Sequence, residues 1–163
     1  MVQVRLSTHL GAADAHCAKI VLITSYVTMG IISSSTCTFM YYNRYALAAM
    51  YSRDLGFREM LVSGFPALVS GVFLMGFSSV SSSSLYAMGR APEVAAVQWI
   101  AVWLILLPVG VRLIFFQGDT SDAYNGVLWA CAASYLVENL LSGTLLIQTN
   151  WEAQVARARK KIH

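Results

Sequence analysis

Four long apolar runs dominate the sequence and constrain the fold more than any other feature. They cover residues 18–42, 61–86, 94–116 and 125–148, and each exceeds the roughly 20 residues that a helix needs to cross about 30 Å of hydrocarbon. With 57% hydrophobic and only 12% charged residues, the chain is too apolar for a soluble domain. The sequence therefore predicts an all-α integral membrane protein, a single domain of four transmembrane helices.

The distribution of positive charge predicts the orientation of this domain. Four crossings place both termini on one side, together with seven of the eleven lysines and arginines. These seven are Arg5, Lys19, Arg90, Arg157, Arg159, Lys160 and Lys161, and the opposite side has Arg44, Arg53, Arg58 and Arg112. Because loops that remain inside are enriched in basic residues, both termini are predicted on the cytosolic or matrix side.

The last apolar run contains an acidic residue, Glu138, well inside a segment otherwise suited to a bilayer. On a helix it shares one face with small side chains spaced by four residues. This ridge consists of Gly126, Ala130, Ser134, Glu138 and Ser142. The second run carries small side chains at the same spacing, namely Ser63, Ala67 and Gly71. Because small side chains let two helix backbones approach closely, these ridges are predicted to pack against each other.

Glu138 permits three interpretations. An ionised carboxylate at that depth is costly, so the group should be protonated or held by hydrogen-bond donors. Ten residues, about 15 Å, separate it from the inner end of its helix. The predicted hydrogen-bond partners at a similar depth are Thr24, Thr28, Ser78 and Ser79. The sequence favours a neutral carboxyl that joins packed helices. The alternatives are a proton carrier in a small transporter and a partner in another subunit.

Several residues are suited to the boundary between lipid and water. Arg44 and Arg53 lie in a tyrosine-rich connection, and Arg112 lies about one turn from the outer end of the third run. Trp99 and Trp103 share one helix face, beside which a structural phospholipid is expected. The basic tail with Lys160 and Lys161 predicts contact with anionic headgroups and not with nucleic acid.

Cofactor ligands are missing from the apolar runs. The histidines His9, His16 and His163 all lie outside them, so haem ligation by two intramembrane histidines of this chain is excluded. The three cysteines form no C-x-x-C pair. Cys37 and Cys131 lie at similar depth, where buried thiols are favoured over a disulfide. No catalytic residue, metal ligand or cofactor is predicted, and no enzyme.

In size and number of spans the chain resembles, in outline, accessory subunits of respiratory complexes, small multidrug transporters and small endoplasmic-reticulum enzymes. None of their motifs is present, so no residue role follows from this outline. The small-residue ridges and missing cofactor ligands favour a non-catalytic accessory subunit of a respiratory-chain or ATP synthase complex. It would lie in the mitochondrial inner membrane and contact other membrane subunits and lipids.

Two alternatives remain open at this point. One is a small proton-coupled transporter that uses Glu138. The other is an endoplasmic-reticulum protein with four spans, in which Lys160 and Lys161 form a C-terminal dilysine signal.

Overall fold

The computed structural model describes residues 2–12, 15–116 and 120–160, and the regular structure of these residues is entirely helical. In chain order the helices are α1 (Val2–Gly11), α2 (Ala15–Tyr42), α3 (Arg44–Tyr51), α4 (Leu55–Ala87), α5 (Ala91–Ile100), a π-helical segment (Ala101–Leu106), α6 (Leu107–Phe116), α7 (Thr120–Ile147) and α8 (Trp151–Lys160).

Within the described residues, four helical stretches are long and apolar enough to cross a membrane. They are Ala15–Tyr42, Leu55–Ala87, Ala91–Phe115 and Ser121–Ile147. The predicted all-α class with four long apolar helices is confirmed. Each span begins three to six residues before its apolar run, because polar residues at the membrane surface continue the helix. At α4, the side chain of Asp54 caps the first turn by accepting a hydrogen bond from the Gly56 N–H at 3.2 Å.

The third span changes its helical form before Pro108. Pro108 has no N–H to donate to the preceding turn, and the π-helical segment Ala101–Leu106 lies immediately before it. The N–H of Leu107 bonds to the Val102 carbonyl, five residues back. The sequence predicts a bend here, and the structure accommodates the proline with a widened turn.

Helix α4 lies at the centre of the bundle and contacts both α2 and α7. Its closest partner is α7, because small residues face each other along the interface. A Cβ atom built on Gly71 would lie 4.0 Å from both the Cα and the Cβ of Ala132. This backbone approach fixes the position of α7, and with it the position of Glu138.

The first and last helices meet at one end of the bundle. Helix α1 contacts α8, and the side chain of Leu6 is fully buried at their junction with the spans. An end cluster of apolar side chains forms there from Leu6, Ala18, Ala87, Met88 and Trp151. No apolar run marks α1 in the sequence, so its packing against the spans is a feature that the structure adds.

Candidate functional site

Glu138 lies in the interface between α4 and α7, where 7% of its surface is exposed. Its Oε1 accepts a hydrogen bond from the Oγ of Ser82 at 3.4 Å. In the part of the chain that the structure describes, the ion pair is Arg90 with Glu93, and Glu138 forms none. The carboxyl is therefore buried with one long hydrogen bond and without an ion pair among the described residues.

Both helices that form this interface carry buried hydroxyl groups. They belong to Ser78, Ser81, Ser82 and Ser84 on α4 and to Ser134 and Ser142 on α7. Several bond to the carbonyl groups of their own helix, as Ser84 does to Val80 at 2.7 Å and Ser134 to Cys131 at 2.8 Å. The Oγ of Ser142, in a residue only 1% exposed, has no partner among the described residues.

Ser142 lies one helical turn beyond Glu138 on the same face of α7. Buried hydroxyls without partners are uncommon, because desolvation without a hydrogen bond costs free energy. We refer to the Glu138 carboxyl, its partner Ser82 and the unpartnered Ser142 hydroxyl one turn along α7 as the polar site. Its three groups can donate or accept hydrogen bonds according to the protonation of the carboxyl.

Three of the four predicted partners of Glu138 face away from it. Thr24, Thr28 and Ser79 are exposed, whereas Ser78 is buried. The hydroxyl that bonds to the carboxyl belongs to Ser82. Counting residues estimates depth but not direction around the helix axis. Ser78 and Ser82 are four residues apart and share the buried face, whereas Ser79 is about 100° away and faces outward.

Five members of the two small-residue ridges are buried, namely Ala67, Gly71, Gly126, Ala130 and Ser134. The residue of α7 that faces Gly71 is Ala132, which lies outside the predicted ridge, so direct packing of one ridge on the other stays a prediction. Ser63, nearer the start of α4, is exposed but accepts a hydrogen bond from Asn125 Nδ2 at 3.1 Å. Asn139 adds a link for which the sequence suggested no role, because its Nδ2 donates to the carbonyl groups of Leu74 and Tyr135, both at 2.8 Å.

The predicted interface residues lie at the ends and on the outer face of the bundle. The Arg44 guanidinium lies 4.6 Å from the ring centre of Tyr41 and 5.0 Å from that of Tyr45. The hydrogen bond between Arg44 and Tyr45 raises the pKa of the guanidinium above its ordinary value. Arg53 and Arg112 are exposed.

The aromatic pair Trp99 and Trp103 lies on the outer face of the third span. The two side chains are stacked, with 5.9 Å between ring centres, and they are 58% and 54% exposed. At the other end of the chain, Lys160 is the last residue of α8 and Lys161 lies outside the described residues. The thiol of Cys37 is buried and bonds to the Val69 carbonyl, so it forms no disulfide with Cys131.

Arg90 joins the ends of α4, α5 and α7 that lie at one end of the bundle. It follows Gly89, whose φ of 74° suits the tight turn between α4 and α5. Its Nε donates to Glu93 at 2.7 Å, and its Nη1 donates to Thr149 Oγ1 at 2.7 Å and to the Leu145 carbonyl at 3.2 Å. From the sequence, Arg90 counts only as one of the positive charges on the side of the termini. Its contacts with Leu145 and Thr149 could not be predicted, because they depend on how the helices pack.

A groove of about 560 Å³ lies between α2, α4, α7 and the start of α8. Its lining includes Lys19, Ile23, Tyr26, Phe77, Leu146 and Trp151. The Tyr26 and Phe77 rings stack with 6.1 Å between their centres, and Tyr26 Oη bonds to Ser81 Oγ at 2.6 Å. An apolar concave surface with a few polar groups is the usual form of a binding site.

Comparison with known proteins gives a consistent result. No protein-family model matches the chain. It is 27% identical to Protein DETOXIFICATION 41 of Arabidopsis thaliana over 161 residues, which are 99% of this chain and 31% of that protein. Over 97% of its length it is 23% identical to DETOXIFICATION 14 of the same plant, covering 32% of that protein. The chain thus spans about a third of the length of these relatives.

The fold matches part of a solved transporter. The crystal structure of the eukaryotic MATE transporter AtDTX14 superposes on this chain with a TM-score of 0.91 and 23% sequence identity. The match covers 99% of this chain and 36% of the transporter chain.

These similarities overturn the functional prediction made from the sequence. The expectation of an accessory subunit of a respiratory-chain or ATP synthase complex is wrong, because nearly the whole chain resembles DETOXIFICATION proteins and a transporter fold. The predicted contacts with other subunits and the predicted location in the mitochondrial inner membrane are wrong for the same reason. Spans and small-residue ridges describe how helices pack in many membrane proteins, so they did not distinguish the two classes. The chain has the fold of part of a eukaryotic MATE transporter.

Proposed function

We propose that the chain forms part of a proton-coupled membrane transporter in which Glu138 takes up and releases the coupling proton. The observation that carries this proposal is the buried carboxyl with one hydrogen bond of 3.4 Å and no ion pair. Acidic groups inside a membrane are costly to keep, and they mark ion or proton pathways by default. The similarity to DETOXIFICATION 41 and the MATE transporter fold support a transporter as the context.

The surroundings of Glu138 couple its charge to the packing of α4 against α7. A protonated carboxyl is neutral and can donate one hydrogen bond and accept others, so the single bond with Ser82 is compatible with its burial. Loss of the proton leaves a negative charge in an apolar interface, which is unfavourable unless water or a cationic solute reaches it. Release of the proton therefore favours an opened interface, and uptake favours the closed one.

For the orientation, we propose that the end of the bundle with α1 and α8 faces the cytosol. Seven of the eleven lysines and arginines belong to that side under the four-span topology. Glu138 lies nine residues before the end of α7, about 14 Å along the helix. The proton would therefore exchange with the cytosol through the inner half of the α4 and α7 interface.

A chimeric transporter tests the proposed function. This chain would replace its 161 aligned residues in DETOXIFICATION 41, and efflux of the fluorescent cation ethidium from cells would be measured at two external pH values. We expect pH-dependent efflux by the chimera and its loss in the chimera with Glu138→Gln. The matched control is Glu152→Gln, which neutralises an exposed acid in α8 outside the spans.

Two outcomes would contradict the proposal. The first is a chimera that inserts into the membrane at the parent's level but does not move ethidium, while the parent does. The second is a Glu138→Gln chimera whose efflux keeps the pH dependence of the unsubstituted chimera.

A further inference from the structure

The groove between α2 and α7 is apolar where it runs into the membrane. Ile23 on α2 and Leu146 on α7 line opposite walls, and the stacked rings of Tyr26 and Phe77 line the space between them. From Lys19 to Tyr26 the wall extends seven residues along α2, about 11 Å at helical rise. The groove is therefore a slot along the helix axes, long enough for a substantial part of a hydrocarbon chain.

The inner end of this slot lies at the boundary between lipid and water. Trp151 lines the slot and also belongs to the end cluster with Ala18, the residue before Lys19. Tryptophan and lysine both favour the membrane interface, because each combines an apolar body with a polar end. Lys19 is exposed there, so its ammonium group can reach a headgroup.

The charge that lines the slot is positive. Lys19 is the one ionised side chain among the described lining residues, and none of them is acidic. We propose that the slot binds one anionic phospholipid, with its phosphate beside Lys19 and one acyl chain between α2 and α7. This position differs from the outer face with Trp99 and Trp103, where the sequence led us to expect a lipid.

The deeper polar groups of the slot favour hydrocarbon over a polar solute. Tyr26 Oη and Ser81 Oγ bond to each other at 2.6 Å, and Asn139 Nδ2 donates to two backbone carbonyl groups. These donors are already used within the bundle. A ligand with many hydroxyl groups would displace such bonds, whereas an acyl chain leaves them intact.

Native mass spectrometry of the full chain in neutral detergent tests this assignment. The probes are phosphatidylserine and phosphatidylcholine with identical acyl chains. We expect the protein to retain phosphatidylserine preferentially, and Lys19→Ala to lower its affinity about fivefold, since one basic residue near an anionic surface contributes that much. Arg112→Ala, which removes an exposed charge near the other end of the bundle, should leave the preference unchanged.

A second pair of variants tests the acyl-chain position. Gly143 lines the slot, and a Cβ built on it meets no atom within 4 Å, so Gly143→Leu fits and fills the space. Gly110 has the same open surroundings but lies in α6, outside the slot, and Gly110→Leu is the matched control. We expect Gly143→Leu to lose retention of both lipids and Gly110→Leu to keep it.

The assignment is overturned if the two lipids are retained equally, or if Lys19→Ala or Gly143→Leu retains lipid as well as its control. It is also overturned if ethidium, or an apolar helical peptide from the remainder of DETOXIFICATION 41, displaces phosphatidylserine from the unsubstituted chain. The slot would then belong to a solute or to a protein segment. Circular dichroism identifies folded variants, and Lys19→Gln replaces Lys19→Ala if the alanine variant is unfolded.

Discussion

The interface between α4 and α7 makes a sharp prediction because two of its glycines differ in the space beside them. A Cβ built on Gly71 meets its nearest atoms, the Cα and Cβ of Ala132, at 4.0 Å, which is ordinary contact. A Cβ built on Gly64 would lie 2.6 Å from Tyr124 Cε1 and 2.7 Å from Leu128 Cδ1. The same substitution to alanine should therefore be tolerated at one position and not at the other.

The size of the difference follows from the neighbours of Gly64. Besides the Tyr124 ring and the Leu128 methyl, the added carbon would lie 3.0 Å from Asn125 Oδ1, and Asn125 is bonded to Ser63. Three side chains must move together, and extra atoms in a packed core typically cost about 1–3 kcal/mol. Helix propensity cancels in the comparison, because both positions change from glycine to alanine within one helix.

The assay is unfolding in mixed micelles with increasing sodium dodecyl sulfate, followed by circular dichroism. We expect the free energy of unfolding of Gly64→Ala to lie about 1–3 kcal/mol below that of Gly71→Ala. Equal values for the two variants would refute the close packing of the N-terminal part of α4 on α7, and with it the helix arrangement that buries Glu138.

The remaining predictions concern two arginines at opposite ends of the bundle. Arg90→Ala removes the bonds to Glu93 and to the end of α7, so it should lower the free energy of unfolding by about 1–3 kcal/mol in the same assay. Arg112→Ala removes an exposed side chain without a described partner and should change it by less than about 0.5 kcal/mol. If both substitutions change the free energy of unfolding equally, Arg90 contributes only its charge, and its hydrogen bonds do not stabilise the fold.

The sequence predicts the helical class because apolar length alone determines it. An uninterrupted run longer than the hydrocarbon thickness has few alternatives to a spanning helix, since backbone polar groups need internal partners there. The spacing of Ala67 and Gly71 also indicates one side of α4 that is buried, because small residues at four-residue intervals define one side of a helix. These properties depend on single helices or on pairs.

The polar site and the slot could not be predicted from the sequence, because they depend on how several helices are rotated and staggered relative to one another. Ser82 and Ser79 have the same chemistry, and only the rotation of α4 decides which one faces Glu138. The slot at Lys19 needs α2, α4, α7 and the start of α8 in place together. Arg90 likewise gains its partner Thr149 only when the C-terminal ends of α4 and α7 meet.

The prediction of the functional class was wrong for a related reason. Four spans, a buried acid and missing cofactor ligands are properties shared by subunits that stabilise a complex and by proteins that move solutes. Only similarity along nearly the whole chain to DETOXIFICATION 41, and to the fold of a MATE transporter, separated the two.

Infrared difference spectroscopy of the reconstituted chain tests the central claim, proton exchange at Glu138, most directly. We predict that raising the pH removes the carbonyl band of a buried protonated carboxyl, that Glu138→Gln lacks this change, and that Glu152→Gln retains it. A spectrum without any carboxyl change across the pH range, or one that is identical in Glu138→Gln, would contradict the account.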